Sequence, residues 1–503
     1  MDTSTVSNSL ELDRRSFLSL ALGTGAALIV PPVFGASAVA EFSGTPRFER
    51  PPVFVKGFYE PVAAEWTFTN LAVQGAIPRS LNGRYLRNGH NPPADKIKDF
   101  WFGGHGMLHG IRLREGRAEW YRNRFVQTPA LRGAKLMRDD GSFDLTASAA
   151  ATSVYAHAGQ IYALQEVNLP FIITPELETR GPHDFGGKLK APMTAHPKID
   201  RRTGEMLFIS YLPAPPHLSY FRVSPQGELT HTEVVNGPGA SVMHDFAITA
   251  NYVVFIDPSV TLTENSPLPF PYTWNDRYAA KIGYMPRDRS RGPARFIEVD
   301  PYYIFHLTNA WEDERGRIVF EATQYDRPAW NESARWINSL ADHGRWVAQG
   351  SRLTRWTIDP SSNQVSTEPL AVLGAEFPTF NQAYLGRHNR FSYLAAFPRE
   401  RAGGHSIVKY DGQRDRLERH EFAPGLMPGE PWFVADPAGT GEDDGWLLTL
   451  VSDLERRRGA LHILDARSIA KAVAVIDIPR WIAAGVHGSW IDDSELVPRD
   501  SAA

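Results

Sequence analysis

Residues 191–205 read Ala191-Pro192-Met193-Thr194-Ala195-His196-Pro197-Lys198-Ile199-Asp200-Arg201-Arg202-Thr203-Gly204-Glu205. Two signals meet here. From Ile199 onward the chain reads as a tight turn entering a strand: Asp200 and Thr203-Gly204 supply turn chemistry, and Met206-Leu207-Phe208-Ile209 supply apolar strand residues. Just before the turn, Pro197 disfavours helix at His196, so the imidazole projects from extended backbone. A histidine held on stiff β-structure is a good metal ligand, because little freedom is lost on binding.

Outward from this stretch, strand–turn–strand units recur with little helix between them. Residues 111–121 read as a hairpin on Glu115-Gly116, and 154–164 as one on Ala158-Gly159. Similar units turn at Pro225-Gln226-Gly227, Glu314-Arg315-Gly316, Asp359-Pro360-Ser361 and Asp411-Gly412. Further strands are expected at 252–256, 392–396, 446–451 and 460–464. Gly (41) and Pro (38) are frequent in the 503 residues, and no long amphipathic helix stands out. The pattern predicts all-β structure, and at this length a β-propeller fits best. No clean repeat marks the blades, so the blade count is not readable from the pattern. Two insertions, 259–290 and 325–349, read as lids or binding loops, the second partly helical and carrying Trp330, Trp336 and Trp346.

Composition narrows the chemistry. Cysteine is absent, which excludes disulfides, thiolate catalysis and iron–sulfur clusters. Any metal must be held by His, Asp or Glu. A net charge of −4 argues against a nucleic-acid partner. At the N-terminus, Asp13-Arg14-Arg15-Ser16-Phe17-Leu18 resembles a twin-arginine export motif, followed by an apolar stretch to Val33. Ala36-Ser37-Ala38 and Ala38-Val39-Ala40 are cleavage candidates. The expectation is a signal peptide over 1–40 and a single catalytic domain over 41–503, exported to the periplasm or beyond. The alternative, an uncleaved membrane anchor, meets a short stretch interrupted by Gly23, Gly25 and Pro31.

Of sixteen histidines, three share the setting of His196. They are His244 in Met243-His244-Asp245-Phe246, His306 in Ile304-Phe305-His306-Leu307, and His487 in Val486-His487-Gly488-Ser489-Trp490. Their separations are 48, 62 and 181 residues (196 to 244, 244 to 306, 306 to 487). Such distances suit no local metal motif, but they suit a propeller whose blades each send one side chain to the axis. Four imidazoles would close a tetrahedral zinc site, or leave two positions open on six-coordinate iron(II).

The motifs resemble those of the carotenoid cleavage oxygenases from about residue 54 to the C-terminus. Gly83-Arg84-Tyr85-Leu86-Arg87-Asn88-Gly89-His90-Asn91-Pro92 and Trp101-Phe102-Gly103-Gly104-His105-Gly106-Met107-Leu108-His109 look like the family's opening motifs. The stretches around His196, His244, His306 (through Asn309-Ala310-Trp311-Glu312) and His487 look like its four ligand motifs in order. The resemblance implies a seven-bladed β-propeller with a dome of loops and short helix over the axis, and Fe(2+) held by His196, His244, His306 and His487. It also implies supporting glutamates, matched here by Glu166, Glu376 and Glu430. A carboxylate on the far ring N–H fixes the tautomer and makes the ligating nitrogen more basic. His105 stands where many members have an acidic residue; it and His109 are read as structural.

What the resemblance implies chemically is a dioxygenase that adds O₂ across a C=C bond of a conjugated polyene and releases two carbonyl products. Phe102, Phe305, Trp311 and Phe377 are expected to line an apolar tunnel. A carotenoid or apocarotenoid is the expected substrate. The alternative is a lignostilbene-type phenolic, but no phenol-binding lysine is found where Pro129-Ala130-Leu131 follows Asn123–Thr128. Isomerohydrolase chemistry at the same iron has nothing in the residues to favour it. Leu268-Pro269-Phe270-Pro271-Tyr272 with Trp274 reads either as a membrane-contact patch or as a dome loop packed on the propeller. A non-catalytic propeller scaffold is the reading from another class, and it predicts no bound metal. No protein partner is expected.

Overall fold

The computed structural model describes residue 54 and residues 57–93, 100–136, 138–139, 144–264, 266–339, 350–397 and 404–497. The signal-peptide stretch, its cleavage sites and Trp346 lie outside the described residues.

The hairpins form where the turn residues call for them. Glu115-Gly116 and Ala158-Gly159 both take two successive positive φ values (49° and 80°; 49° and 78°). That backbone matches the right-handed twist of the flanking strands. Each expected hairpin is found: His105–Arg114 pairs with Arg117–Phe125, and Ser153–His157 with Gln160–Leu164. The opening stretch also folds back on itself, Lys198–Asp200 pairing with Glu205–Tyr211.

Antiparallel sheets radiate as seven blades, numbered here by inner strand. These are Gly488–Asp492 (blade 1), Ser153–His157 (2), Lys198–Asp200 (3), Phe246–Ile248 (4), Tyr303–Glu312 (5), Ala375–Thr379 (6), and the short pair Leu426–Pro428 and Trp432–Ala435 (7). The ring closes by joining the two ends of the chain. Gly488–Asp492 pairs with Gly83–Arg87, register Leu86 to Ser489. The pairing needs a glycine at 488, because a Cβ there would lie 2.6 Å from the Tyr85 hydroxyl and 2.9 Å from the Leu86 carbonyl.

Over one face sits the dome. Its parts are the hairpin Val260–Leu262 with Tyr272–Trp274, and Arg327–Ile337, the one α-helix among the described residues. Asp326 caps that helix, accepting from the Ala329 N–H at 2.9 Å. Trp330 and Trp336 anchor it, Trp336 edge-on to Trp101 and Trp330 against Tyr303. The expected insertion at 325–349 is thus helical in its first part. The 268–274 stretch packs into the dome: Phe270 is buried against Phe102, and its backbone is bracketed by the Asn338 side chain. Among the described residues, no helix is long and apolar enough to cross a membrane.

Two buried histidines make the fold acid-sensitive. Burial lowers His405 and His462 to about 4 from an ordinary 6.5. Both are therefore neutral in the fold and protonate more readily when unfolded. Their contribution is complete above pH 6.5 and is lost as pH falls towards 4, on the order of 3 kcal/mol each at most. His462→Leu should flatten the fall in Tm between pH 7 and 4.5. An unchanged acid slope would contradict this.

Candidate metal centre

Each of the seven blades delivers one side chain to the axis. His487 immediately precedes the inner strand of blade 1; His196 and His244 stand just before those of blades 3 and 4; His306 lies within that of blade 5. Blade 6 contributes Glu376 from its inner strand and blade 7 Glu430 from the link between its two short strands. Glu166 follows the second strand of blade 2. Residues hundreds of positions apart meet because inner strands of neighbouring blades pack on one another.

The four imidazoles converge. One candidate donor atom from each lies within 4.8 Å of every other, and the Nε2 atoms of His196 and His244 are 3.0 Å apart. Two nitrogens facing each other across one ion stand about 4 Å apart, twice a metal–nitrogen bond of about 2.1 Å. The set therefore fits a single ion. The Nε2 atoms of His306 and His487 are buried without a hydrogen-bond partner, as donors reserved for a ligand would be. Burial, with the neighbouring histidines adding to it, holds His196 and His306 well below the ordinary imidazole value, so both are neutral.

The glutamates stand behind the rings. His244 Nδ1 lies 2.5 Å from Glu166, His306 Nδ1 donates to Glu376 at 2.7 Å, and His487 Nδ1 to Glu430 at 3.0 Å. Among the described residues no carboxylate pairs with His196. Burial pulls His244 down, but Glu166, with Asp245 and Glu376, more than offsets it and the net shift is upward. Burial pushes Glu376 up to about 7 despite hydrogen bonds from Tyr325, Thr323 and the Phe377 N–H. A cation at the centre would keep that carboxyl ionised. The residues after two of the glutamates are strained: Val167 and Phe377 have φ of 65° and 56°. Left-handed backbone at such side chains costs about 1–3 kcal/mol and clusters at functional sites. It sets the Phe377 ring against His306 and His487.

On the dome side the centre opens into a cleft of about 900 Å³, whose walls include Phe102, Phe305 and Phe377 together with Glu166, His244, His306 and His487. Trp311 does not line it. Phe305 and Trp311 lie on one strand, but six residues span about 20 Å, and two register shifts intervene. Trp311 packs instead against His388. Sequence reasoning missed Tyr211, Tyr303 and Gln165, which also line the cleft. Two of them had a local signal: Tyr303 stands three residues before His306, and Gln165 directly precedes Glu166. His109 lies apart, its Nδ1 2.9 Å from the Tyr121 hydroxyl.

A propeller with convergent imidazoles and outer carboxylates, open to an apolar cleft, defines a class: metal-dependent enzymes with an all-nitrogen donor set. Residues 59–492 match the family described as retinal pigment epithelial membrane protein. The chain belongs to this family, that of the carotenoid cleavage oxygenases, and is an oxygenase. It is 31% identical to the carotenoid cleavage oxygenase of Mycobacterium tuberculosis, over 87% of this chain and 97% of that protein. The cobalt-substituted apocarotenoid oxygenase of Synechocystis superposes with a TM-score of 0.74 at 26% identity, covering 88% of this chain and 98% of that one. The lignostilbene dioxygenase of Pseudomonas brassicacearum gives 0.77 at 27%, covering 88% and 99%.

Proposed function

We propose that this protein cleaves a C=C bond of a carotenoid or apocarotenoid with O₂, using iron(II) held by His196, His244, His306 and His487. The observation that carries the reading is the donor set itself: four imidazole nitrogens meeting where an apolar cleft ends. Iron(II), when bound, supplies the oxygen chemistry. The chain's own work is binding and positioning. Phe102, Phe305 and Phe377 offer apolar walls to a polyene and exclude water. Glu166, Glu376 and Glu430 fix the ring tautomers. No general acid–base pair is needed, since both oxygen atoms end in the two carbonyl products.

A stilbene substrate is the second reading, favoured by the likeness to a lignostilbene dioxygenase and by the tyrosines on the cleft wall. Against it, no lysine lies among the described residues that line the cleft. Incubating the iron-loaded protein with an apocarotenal and, separately, a hydroxystilbene should give aldehydes from the first at the higher kcat/KM. Preference for the hydroxystilbene would overturn the substrate assignment, and no cleavage of either would overturn the activity.

The export motif at 13–18, in a signal peptide read over 1–40, supports a periplasmic or extracellular location. Substituting Arg14 and Arg15 with lysine should retain the protein in the cytoplasmic fraction of a host that has the twin-arginine pathway.

A further inference from the structure

A second cavity reaches the same four-histidine centre from the face opposite the dome. With its open mouth it spans about 940 Å³, and His196, His306 and His487 form its inner end. Its character differs from that of the cleft. Asp245, Glu430 and Glu495 stand on its wall against two cations, Lys198 and Arg201. Cations and carboxylates are all engaged: Lys198 Nζ is 2.7 Å from Asp245, which also accepts from the Leu307 N–H, Glu430 accepts from His487 Nδ1 and the Gly488 N–H, and Arg201 is 3.5 Å from Glu495 at the surface end. The histidines at the inner end add no charge when neutral. The buried Thr308 hydroxyl, also on this wall, has no hydrogen-bond partner.

These two cavities suit different travellers. A divalent cation is strongly hydrated, and stripping its water against aromatic walls is costly. The axial wall has aromatic side chains too, among them Phe380 and Trp432, but its hydroxyls, amides and carboxylates, absent from the greater part of the cleft, offer oxygen donors in place of that water. We propose that the axial cavity is the route by which the metal ion reaches the four histidines in the folded protein, leaving the dome cleft to the organic substrate. The inference rests on the metal-site reading and not on the identity of the substrate. The Thr308 hydroxyl marks a point where a hydrated ion, or the water it displaces, is held on the way in.

The test is metal uptake by the full-length apo-protein, prepared by chelation and mixed with Co²⁺. Cobalt bound after rapid desalting is measured against time by elemental analysis. Two variants act on the axial side only. Gln382→Trp narrows the cavity from a half-buried turn position, and Glu495→Lys reverses charge at the surface end. Wild type should reach one cobalt per chain. Q382W should reach the same stoichiometry at least tenfold more slowly. E495K should load several-fold more slowly, by a factor that shrinks as salt is raised. A polyene held in the dome cleft should leave the wild-type rate unchanged. Variants that load at the wild-type rate, slowing by the polyene, or apo-protein that takes up metal only when unfolded would each overturn the route. A wild type that binds no metal at any time would overturn the site itself.

Discussion

His244→Ala is expected to leave the protein folded, short of metal and inactive. The ring supplies one of the four donors and is the only one of them that lies against Glu166. Losing an outer partner of a ligand weakens a metal site by about 10–100-fold, so losing the ligand should exceed that. Iron per chain should fall well below one at micromolar protein, and turnover should fall at least 100-fold. The local backbone keeps its ties, since the Asp245 carboxylate still accepts from the Phe246 and Leu307 N–H groups. The comparison is His109→Gln, another buried histidine, which should lower Tm but keep full iron. Full iron and full turnover in H244A would remove the basis of the assignment.

The second large effect is expected from Glu376→Gln. Four donors converge on this carboxylate. Tyr325 and Thr323 donate to one oxygen at 2.7 and 2.8 Å, and His306 Nδ1 and the Phe377 N–H donate to the other at 2.7 and 3.0 Å. A glutamine can keep its oxygen towards His306 Nδ1 and the Phe377 N–H, with its NH₂ donating to the Tyr325 and Thr323 hydroxyls, but it brings no negative charge to the ring it supports. Iron affinity in a chelator competition should fall by about 10–100-fold. Unfolding stability should change by only about 1 kcal/mol, the difference between hydrogen bonds to a charged and to a neutral acceptor, so the loss falls on the metal rather than on the fold. An unchanged chelator midpoint would show that the carboxylate only packs.

The local levels of the fold were legible in the sequence. Turn residues that tolerate positive φ announced the hairpins, and strand propensity announced their arms. The blade count was not, because blades differ in length and the ring is closed by Gly83–Arg87 meeting Gly488–Asp492. No local period records a contact between the ends of the chain. The centre was half legible. Residue types restricted any metal to imidazole and carboxylate, but spacing alone could not say that His196, His244, His306 and His487 share a point; the motif resemblance supplied that. Trp311 shows the opposite failure. Nearness to a ligand motif placed it in the tunnel, whereas strand length and two register shifts carry it away. Tyr211 was missed because it reaches the cleft only through tertiary packing.

The most direct measurement is anomalous diffraction at the iron edge from crystals of the purified, iron-loaded protein. A single iron peak per chain is expected on the propeller axis, within about 2.2 Å of one nitrogen from each of His196, His244, His306 and His487. No peak there, or iron bound elsewhere on the chain, would contradict the central claim.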